Sequence, residues 1–445
     1  MVFTPLVLLS RLRFPSFINV VRKMTNSIEL RAGLDKVVES STLAINQRVA
    51  ALRAEDKCIF HFGFGESPFP VPEAMRQALA DNAHQKSYLP TKGLLELREA
   101  ISTYYQEQFS YGFDAENIFI APGSKELLFQ MLFLLDGPLL LPAPSWVSYA
   151  PQAQLCGKQV EVVPARYEDR YQITAASLQK ACDNVGSGQK ILILNFPNNP
   201  TGQCLDVATA KSLAEVCRAN NVIVISDEIY ALTQHDGGKQ VSIVDYYPEG
   251  SIVTGGLSKA FSAGGYRFGL ALLPEPLAPL REALIKTISE TYSCVSSPIQ
   301  YAALKVYGDY PSVKDHVDQC TQVHALAGKM VHQRFVDMGL RCLSPQGGFY
   351  LYPDFSAYKD GLAREGIKND RELAFYLLDN YSIATLPGSD FSSDSSGFCL
   401  RIAMVDYDGK DVLAQYAAGE KDPDVLFSHM NKACDALQGF VKEIS

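Results

Sequence analysis

Two apolar runs, each followed by a polar segment, decide the fold class. The first is Ile191-Leu-Ile-Leu-Asn-Phe-Pro-Asn-Asn-Pro-Thr-Gly202, and the second is Val222-Ile-Val-Ile-Ser-Asp-Glu-Ile-Tyr230. Both runs are apolar at successive positions, which is typical of strands buried on both faces of a parallel sheet. The helical pattern Ala208–Ala219 lies between them. This part of the chain therefore predicts a strand–helix–strand unit.

The same alternation extends to both sides of this unit. The predicted strands are Ile118–Ala121, Leu139–Pro142, Val160–Pro164, Ile191–Phe196, Val222–Ser226, Ile252–Thr254 and Phe268–Leu273. Another helical pattern intervenes at Lys125–Leu135. The sequence therefore predicts an α/β large domain built on a mostly parallel seven-stranded sheet with helices on both faces.

The pattern changes after about Ala278. Long helices are predicted up to roughly Met338, and short strands follow at Phe349–Tyr352, Ile383–Leu386 and Cys399–Ala403. One more helix is predicted near the N-terminus, from Ser40 to Glu55. We interpret the C-terminal part as a second, smaller α+β domain.

Composition excludes several classes of protein. Among the 445 residues, 47% are hydrophobic and 20% are charged, which are ordinary globular values and exclude global disorder. The net charge of −9 argues against a generic nucleic-acid-binding surface. No apolar stretch approaches the roughly 20 residues that span a bilayer. The 10 Cys form no C-x-x-C pair and no zinc-type spacing, so we expect free thiols in a reducing compartment and no metal site.

Residues 1–23 have two interpretations. They carry Arg11, Arg13, Arg22 and Lys23, and no acidic residue precedes Glu29. An acid-poor, Arg-bearing segment with Ser fits a mitochondrial transit peptide. The alternative, slightly favoured, is a disordered extension ahead of a natural start at Met24. We expect a cytoplasmic protein, with the mitochondrial matrix as the alternative.

Polar segments follow several predicted strands, where an open α/β sheet binds its ligands. The turn Ala121-Pro-Gly-Ser-Lys125 leads into a helix whose free N–H groups suit a phosphate. The loop Asn195-Phe-Pro-Asn-Asn-Pro-Thr-Gly202 is rigid and aims a side-chain amide. Asp227 and Tyr230 place a carboxylate and a phenol after the next strand.

A lysine follows a further apolar strand, in Thr254-Gly-Gly-Leu-Ser-Lys259, which continues to Gly264-Gly-Tyr-Arg-Phe-Gly269. A lysine on such a segment can be desolvated, and a desolvated amine is a nucleophile towards carbonyls. Taken alone, each of these segments has an ordinary interpretation: a common strand–helix turn, an Asn turn, a capping Asp or a solvated Lys.

In combination, P-N-N-P-T-G, D-x-x-Y and S-K-x(7)-R resemble the class I/II aminotransferases, the pyridoxal-phosphate (PLP) enzymes of the aspartate aminotransferase fold. The resemblance extends from about Glu29 to the C-terminus. It implies a PLP-dependent transferase fold, PLP as cofactor, and amino-acid and 2-oxo-acid substrates. It also implies four sections: an N-terminal extension (1–28), a segment of the small domain (29–75), the large PLP-binding domain (76–310) and the C-terminal small domain (311–445).

The resemblance assigns roles around the reacting atoms. Lys259 corresponds to the lysine that forms a Schiff base with PLP and, once freed, moves a proton. Asp227 corresponds to the carboxylate paired with the pyridinium nitrogen, which keeps the ring an electron sink. Tyr230 and Asn199 correspond to the partners of the 3′-oxygen, and Trp146 to the aromatic ring that stacks on the cofactor.

Further assignments concern the phosphate. The turn of Gly123, Ser124 and Lys125 is implied to hold it together with Arg267, whose planar fork meets two oxygens at once. Tyr88 resembles a tyrosine that reaches the phosphate of the neighbouring subunit. The resemblance therefore implies a homodimer with shared active sites.

The substrate is implied to bind through its α-carboxylate. Arg401 corresponds to the arginine that forks this group, and Gly65 to the loop glycine whose backbone approaches it. Asn199 belongs to the same substrate-binding set.

At one position the chain departs from the phosphate site of many family members. They carry Ser three residues before the Schiff-base lysine, where this chain has Gly256. We expect Thr254 or Ser258 to supply the hydroxyl instead, or Lys125 to add charge.

A second departure concerns substrate choice. Dicarboxylate-specific members place an Arg near the segment that reads Ser289-Glu-Thr-Tyr-Ser293 here, where it holds the distal carboxylate of the partner's substrate. Arg281 is the only Arg between Arg267 and Arg334. An aromatic, neutral or unusual amino acid is therefore at least as consistent with the sequence as aspartate.

The leading functional hypothesis is transamination between an L-amino acid and a 2-oxo acid. A PLP-dependent lyase, cyclase or decarboxylase would keep all of these residues. A non-catalytic PLP-binding regulator usually carries an added DNA-binding domain, and no basic helix-turn-helix extension is visible. A cofactor-free scaffold would be expected to have lost Lys259 or Asp227, and both are present.

Overall fold

The computed structural model describes residues 41–394 and 397–445, and its helices and strands are numbered here in chain order. The strands are β1 Phe60–His61, β2 Ile118–Ala121, β3 Leu139–Ala143, β4 Val160–Pro164, β5 Lys190–Asn195, β6 Val222–Asp227, β7 Ser251–Gly256, β8 Gly269–Leu272, β9 Tyr350–Leu351, β10 Ile383–Ala384, β11 Leu386–Pro387 and β12 Leu400–Ala403. The helices are α1 Ser41–Ala54, α2 Glu73–Asp81, α3 Leu95–Phe109, α4 Ser124–Leu134, α5 Tyr149–Leu155, α6 Ala175–Val185, α7 Val207–Ala219, α8 Ala278–Glu290, α9 Ser297–Gly308, α10 Pro311–Asp337, α11 Lys359–Arg364, α12 Asp370–Tyr381, α13 Gly409–Ala417, α14 Pro423–Leu426 and α15 Ser428–Ile444. The predicted extension 1–28 lies outside the described residues.

A seven-stranded sheet in the order β2-β8-β7-β6-β5-β3-β4 forms the large part of the molecule. The β3, β4, β5, β6 and β7 pairings are parallel, and β8 is antiparallel to both of its neighbours, β2 and β7. All seven predicted sheet strands are present, with ends within two residues of the prediction. The predicted α/β class and mostly parallel sheet are confirmed.

Burial on both faces explains the continuous apolar runs of the central strands. In β5, Ile191 and Ile193 pack into a core with residues of α4, α5 and α8, whereas Leu192 and Leu194 pack into a core with residues of α6 and α7. Each strand residue alternates between the two faces. Every position of β5 and β6 is therefore buried.

A separate core joins the N-terminal segment to the C-terminal elements. Ile45 and Leu52 of α1 and Phe62 share this core with residues between 320 and 444. The helix α10 contributes to two cores. Val313 packs into a core with residues of the large sheet, and Val331 packs into the core of the smaller part. The assignment of residues 29–75 to the small domain stays a prediction, as do all the domain boundaries, and residues 29–40 lie outside the described residues.

One strand prediction in the smaller part was wrong. Residues 383–386, predicted as one strand, form two strands separated at Thr385, because β10 pairs with β1 whereas β11 pairs with β12. The β12 strand also pairs with β9, and these three short strands form one antiparallel sheet. Within residues 41–394 and 397–445, no helix is both long and apolar enough to cross a membrane.

Candidate active site

A cavity of about 670 Å³ lies beyond the carboxyl ends of β5, β6 and β7. The N-terminus of α4, the loop around Gly65 and the strand β12 complete its walls. It brings together Gly65, Gly123, Ser124, Lys125, Trp146, Asn199, Asp227, Tyr230, Ser258, Lys259, Arg267 and Arg401. Tyr88 is the one predicted site residue that does not line it, and its side chain is 91% exposed.

Lys259 lies on the connection between β7 and β8 and reaches into the cavity. Its Nζ donates to the carbonyl oxygen of Gly65 at 2.7 Å. The same nitrogen is 5.5 Å from the centroid of the Tyr230 ring and 5.7 Å from that of Phe349. An amine held by one carbonyl oxygen beside two aromatic rings is partly desolvated.

Asp227, at the end of β6, is the buried carboxylate of the site. Burial raises its pKa, and hydrogen bonds from Tyr149 and Thr254 oppose that shift. The Tyr149 hydroxyl donates to Oδ2 at 2.7 Å, and the Thr254 hydroxyl donates to Oδ1 at 3.0 Å. A buried carboxylate is ionised most readily when a cation or a charged N–H group faces it. The arrangement suits a protonated ring nitrogen.

The Thr254 hydroxyl donates to Asp227, although the sequence offered it as a phosphate ligand. Of the other substitutes that the sequence offered for position 256, both Ser258 and Lys125 line the cavity. Steric crowding explains why position 256 is Gly, because a Cβ there would lie 2.6 Å from the Phe268 carbonyl oxygen. The strand β8 approaches β7 too closely for a side chain at this position.

Tyr230 and Asn199 are held by neighbouring polar groups. The Tyr230 hydroxyl is 2.7 Å from that of Tyr350. The Asn199 N–H donates to the side chain of Asn195 at 3.0 Å, and Asn195 donates in turn to the Asp227 carbonyl at 2.8 Å. This chain of bonds ties the Asn-Pro loop to the end of β6.

One end of the cavity is built from a helix terminus and cations. The helix α4 begins at Ser124 behind Gly123, whose φ is 99°, without a side-chain cap on its free N–H groups. Arg267 Nη2 donates to the Pro122 carbonyl at 3.2 Å, so a Cβ at Gly123 would collide with the guanidinium. The pKa of Lys125 is lowered by burial and then by the charges of Arg267 and Lys259. Converging cations at a helix N-terminus favour an anion.

Arg401 forms the opposite end of the cavity. It is buried and donates to the Gly63 carbonyl, and burial lowers its pKa. The rings of Tyr350 and Phe391 lie 5.0 Å and 5.4 Å from its Cζ. A buried guanidinium fork that has no carboxylate partner within residues 41–394 and 397–445 is suited to bind one bidentately.

Sequence reasoning missed two residues of this site. Tyr149 hydrogen-bonds Asp227, and Tyr350 contacts Tyr230 and Arg401. A signal for Tyr149 existed, since it lies three residues after Trp146, which the sequence had singled out. No local signal marks Tyr350, which reaches the cavity from β9.

The cavity fits PLP by its donor set, and two of its buried polar atoms are free to pair with a ligand. In the part of the chain that the structure describes, Asn199 Oδ1 and Arg401 Nε are buried without a hydrogen-bond partner. Such atoms cost roughly 1–3 kcal/mol each unless a ligand pairs with them. Trp146 offers a ring face, Asp227 a partner for a ring N–H, and Lys259 an amine for an aldehyde.

The fold and the site together define a PLP-dependent enzyme. The sequence model of aminotransferase class I and II matches residues 58–416, and the chain belongs to this family. The aspartate aminotransferase of Geobacillus stearothermophilus is 30% identical over 375 residues, 82% of this chain and 92% of that protein. The probable aspartate/prephenate aminotransferase of Aquifex aeolicus is 31% identical and covers 80% of this chain and 89% of its own length.

Solved structures agree. The aspartate aminotransferase of Rhizobium meliloti superposes with a TM-score of 0.82 at 25% identity, covering 94% of this chain and 100% of that chain. The Thermus thermophilus enzyme, at 22% identity, has a TM-score of 0.80 over 94% of this chain and 100% of its own, which establishes the shared fold. The predicted family, fold, PLP cofactor and aminotransferase activity are confirmed.

Proposed function

We propose that the cavity transfers the amino group through Lys259, Asp227 and Arg401, acting on an L-amino acid and a 2-oxo acid. The observation that carries the proposal is the placement of an amine, a buried carboxylate and a buried guanidinium in one cavity. Bound PLP supplies a sink for the electrons that remain at the substrate Cα when its proton leaves. The residues around it position that proton and the substrate.

Each residue has one task in this proposal. Lys259 anchors the cofactor and its Nζ moves the proton from the substrate Cα. Asp227 holds the ring nitrogen protonated, with Tyr149 and Thr254 fixing the carboxylate. Arg401 binds the α-carboxylate and fixes which Cα bond faces Lys259.

The remaining predicted residues hold the cofactor. Gly123, Ser124, Lys125, Ser258 and Arg267 bind its phosphate at the start of α4. Trp146 stacks on its ring, while Tyr230 and Asn199 hydrogen-bond its 3′-oxygen, and the Gly65 backbone lies beside the substrate carboxylate. We further propose that the protein is a homodimer in which Tyr88 completes the partner's phosphate site.

We propose a neutral or aromatic amino donor in preference to aspartate. Arg281, the only Arg between Arg267 and Arg334, donates to Asn117 at 2.6 Å and to Glu275 at 3.2 Å. These two bonds engage the Arg281 guanidinium within its own chain, which leaves it less suited to hold the distal carboxylate of a substrate.

Borohydride reduction tests the anchor. Reduction of the PLP-loaded protein followed by peptide mapping is expected to label the peptide that contains Lys259. Lys259→Ala should abolish the label and lower the rate by about 10²–10⁴-fold, because the proton carrier is lost. Lys125→Ala, which changes another lysine of the same cavity, is the matched control and should keep the label on Lys259. A label on any other lysine contradicts the proposal.

A panel of amino donors tests the reaction and its substrate. With pyruvate and 2-oxoglutarate as acceptors, an aromatic or neutral donor is expected to give a higher kcat/KM than aspartate. Preference for aspartate would refute the substrate proposal alone. Product formation without consumption of a 2-oxo acid would instead indicate lyase, cyclase or decarboxylase chemistry on the same residues.

A further inference from the structure

Tyr350 lies between the groups that are proposed to bind the cofactor oxygen and the substrate carboxylate. Its side chain is 1% exposed and lines the cavity. Its hydroxyl is 2.7 Å from the Tyr230 hydroxyl, and its ring lies 5.0 Å from the Arg401 Cζ. A Cβ on Gly65 would collide with the Tyr350 hydroxyl, so the loop glycine leaves room for it. One side chain thus contacts three elements of the site.

Each hydroxyl carries one proton, and this decides which tyrosine donates in the hydrogen bond between Tyr230 and Tyr350. Burial raises the pKa of Tyr230 well above its usual value, so its hydroxyl keeps its proton. If Tyr230 donates that proton to the cofactor oxygen, its own oxygen is left to accept one. Tyr350 is the donor at 2.7 Å, because its other acceptor, the Gly65 carbonyl, lies farther away at 3.5 Å.

We propose that Tyr350 is a positioning residue, whose hydroxyl donates to Tyr230 and whose ring supports the Arg401 guanidinium. The donated bond orients the Tyr230 proton towards the cofactor oxygen and polarises the Tyr230 O–H group, which strengthens its own donation. The ring face attracts the buried guanidinium and holds its fork towards the substrate. The inference rests on the proposed role of Tyr230.

The visible absorbance of the PLP-loaded protein, titrated with pH, reports on this network. Donation from Tyr230 stabilises negative charge on the cofactor oxygen. It therefore favours loss of the proton on the nitrogen that links Lys259 to the cofactor. Tyr350→Phe removes the donor and keeps the ring. The midpoint of the absorbance titration is therefore expected to rise by about 0.5–1 pH unit. Because the ring stays under Arg401, KM for the amino donor should change less than about twofold.

Matched variants separate the possible causes of a shift in the titration midpoint. Tyr352→Phe removes another buried hydroxyl from the same segment, one that bonds Ser393 at 2.8 Å, and should leave the midpoint unchanged. Tyr230→Phe should raise the midpoint by more than Tyr350→Phe does. In the Tyr230→Phe background, Tyr350→Phe should have no further effect, because the two hydroxyls act in series.

The outcomes distinguish a failure of the inference about Tyr350 from a failure of the proposed role of Tyr230. An unchanged midpoint in Tyr230→Phe would overturn the proposed role of Tyr230. A shift in Tyr230→Phe with none in Tyr350→Phe overturns only the inference and assigns the Tyr350 proton to the Gly65 carbonyl. Additive shifts in the double variant overturn it too, since Tyr350 would then act independently of Tyr230. A tenfold rise of KM for the amino donor in Tyr350→Phe would refute the proposal that the ring of Tyr350 is what supports the Arg401 guanidinium.

Discussion

At the scale of single residues, Glu228 is the buried carboxylic acid next to Asp227 that the proposed chemistry does not use. Its Oε1 accepts from Ser226 at 2.9 Å and from Ser242 at 2.6 Å, while Oε2 is buried without a partner in the described chain. Burial raises the pKa of Glu228 to about 7. This side chain therefore titrates near neutral pH.

The folded chain then holds a proton on Glu228 that the unfolded chain releases above pH 4.5 or so. Between that pH and about 7 the folded state binds more protons, so the free energy of unfolding falls as pH rises, by up to about 3 kcal/mol. Glu228→Gln should flatten this decline in denaturant unfolding of the cofactor-free protein. Glu282→Gln, an exposed control, should keep the wild-type profile. Parallel profiles for wild type and Glu228→Gln would refute an ionisation of Glu228 near pH 7.

At the scale of elements, the end of the cavity at the start of α4 depends on how closely β8 approaches its neighbours. Gly256 of β7 is paired with Gly269 of β8. A Cβ at Gly269 would collide with the backbone of Gly123 and Ser124, where α4 begins. The missing side chains let two strands and a helix terminus meet, which concentrates the backbone N–H groups at one place.

Gly256→Ala is expected to lower the free energy of unfolding by about 1–3 kcal/mol, because the new Cβ would lie 2.6 Å from a backbone oxygen and the strands must move apart. The measurement is denaturant unfolding of the PLP-free protein. Gly265→Ala is the matched control on the adjoining loop: a Cβ there meets nothing within 4 Å, so the change should stay within about 0.5 kcal/mol. Equal stability of the two variants would contradict the close approach of β7 and β8.

At the scale of the whole molecule, the position of Tyr88 bears on assembly. Its ring is exposed and lies outside the cavity of its own chain. A residue that completes a partner's site has this property, and a twofold interface repeats the crossing in both directions. Each cavity would then need both chains to bind phosphate fully.

Subunit mixing tests the shared site. Tyr88→Ala and Lys259→Ala are each expected to be nearly inactive, and random exchange should restore about a quarter of wild-type activity, because half of the dimers are mixed and one of their two sites is intact. Mixing Lys259→Ala with Arg267→Ala, two changes in the same cavity, is the control; it leaves each site of the mixed dimer with one defect. No recovery with Tyr88→Ala despite proven exchange would show that Tyr88 serves its own subunit.

The sequence by itself determined the sheet strands and the residues that follow them. Runs such as Ile191–Leu194 are apolar because both faces are covered, and Asp227, Asn199 and Lys259 come directly after such runs, so their placement at one edge follows from parallel strand order. These signals are local: each lies within a few residues of the feature that it predicts.

Only the tertiary structure decided which distant side chains meet. Tyr350 lies 120 residues from its hydroxyl partner Tyr230, and the Thr254 hydroxyl turned out to bond Asp227. The strand predicted at 383–386 breaks because its two halves pair with different sheets. Such contacts depend on the packing of two cores against one another, and no periodicity within a single segment encodes the partner that another segment will present.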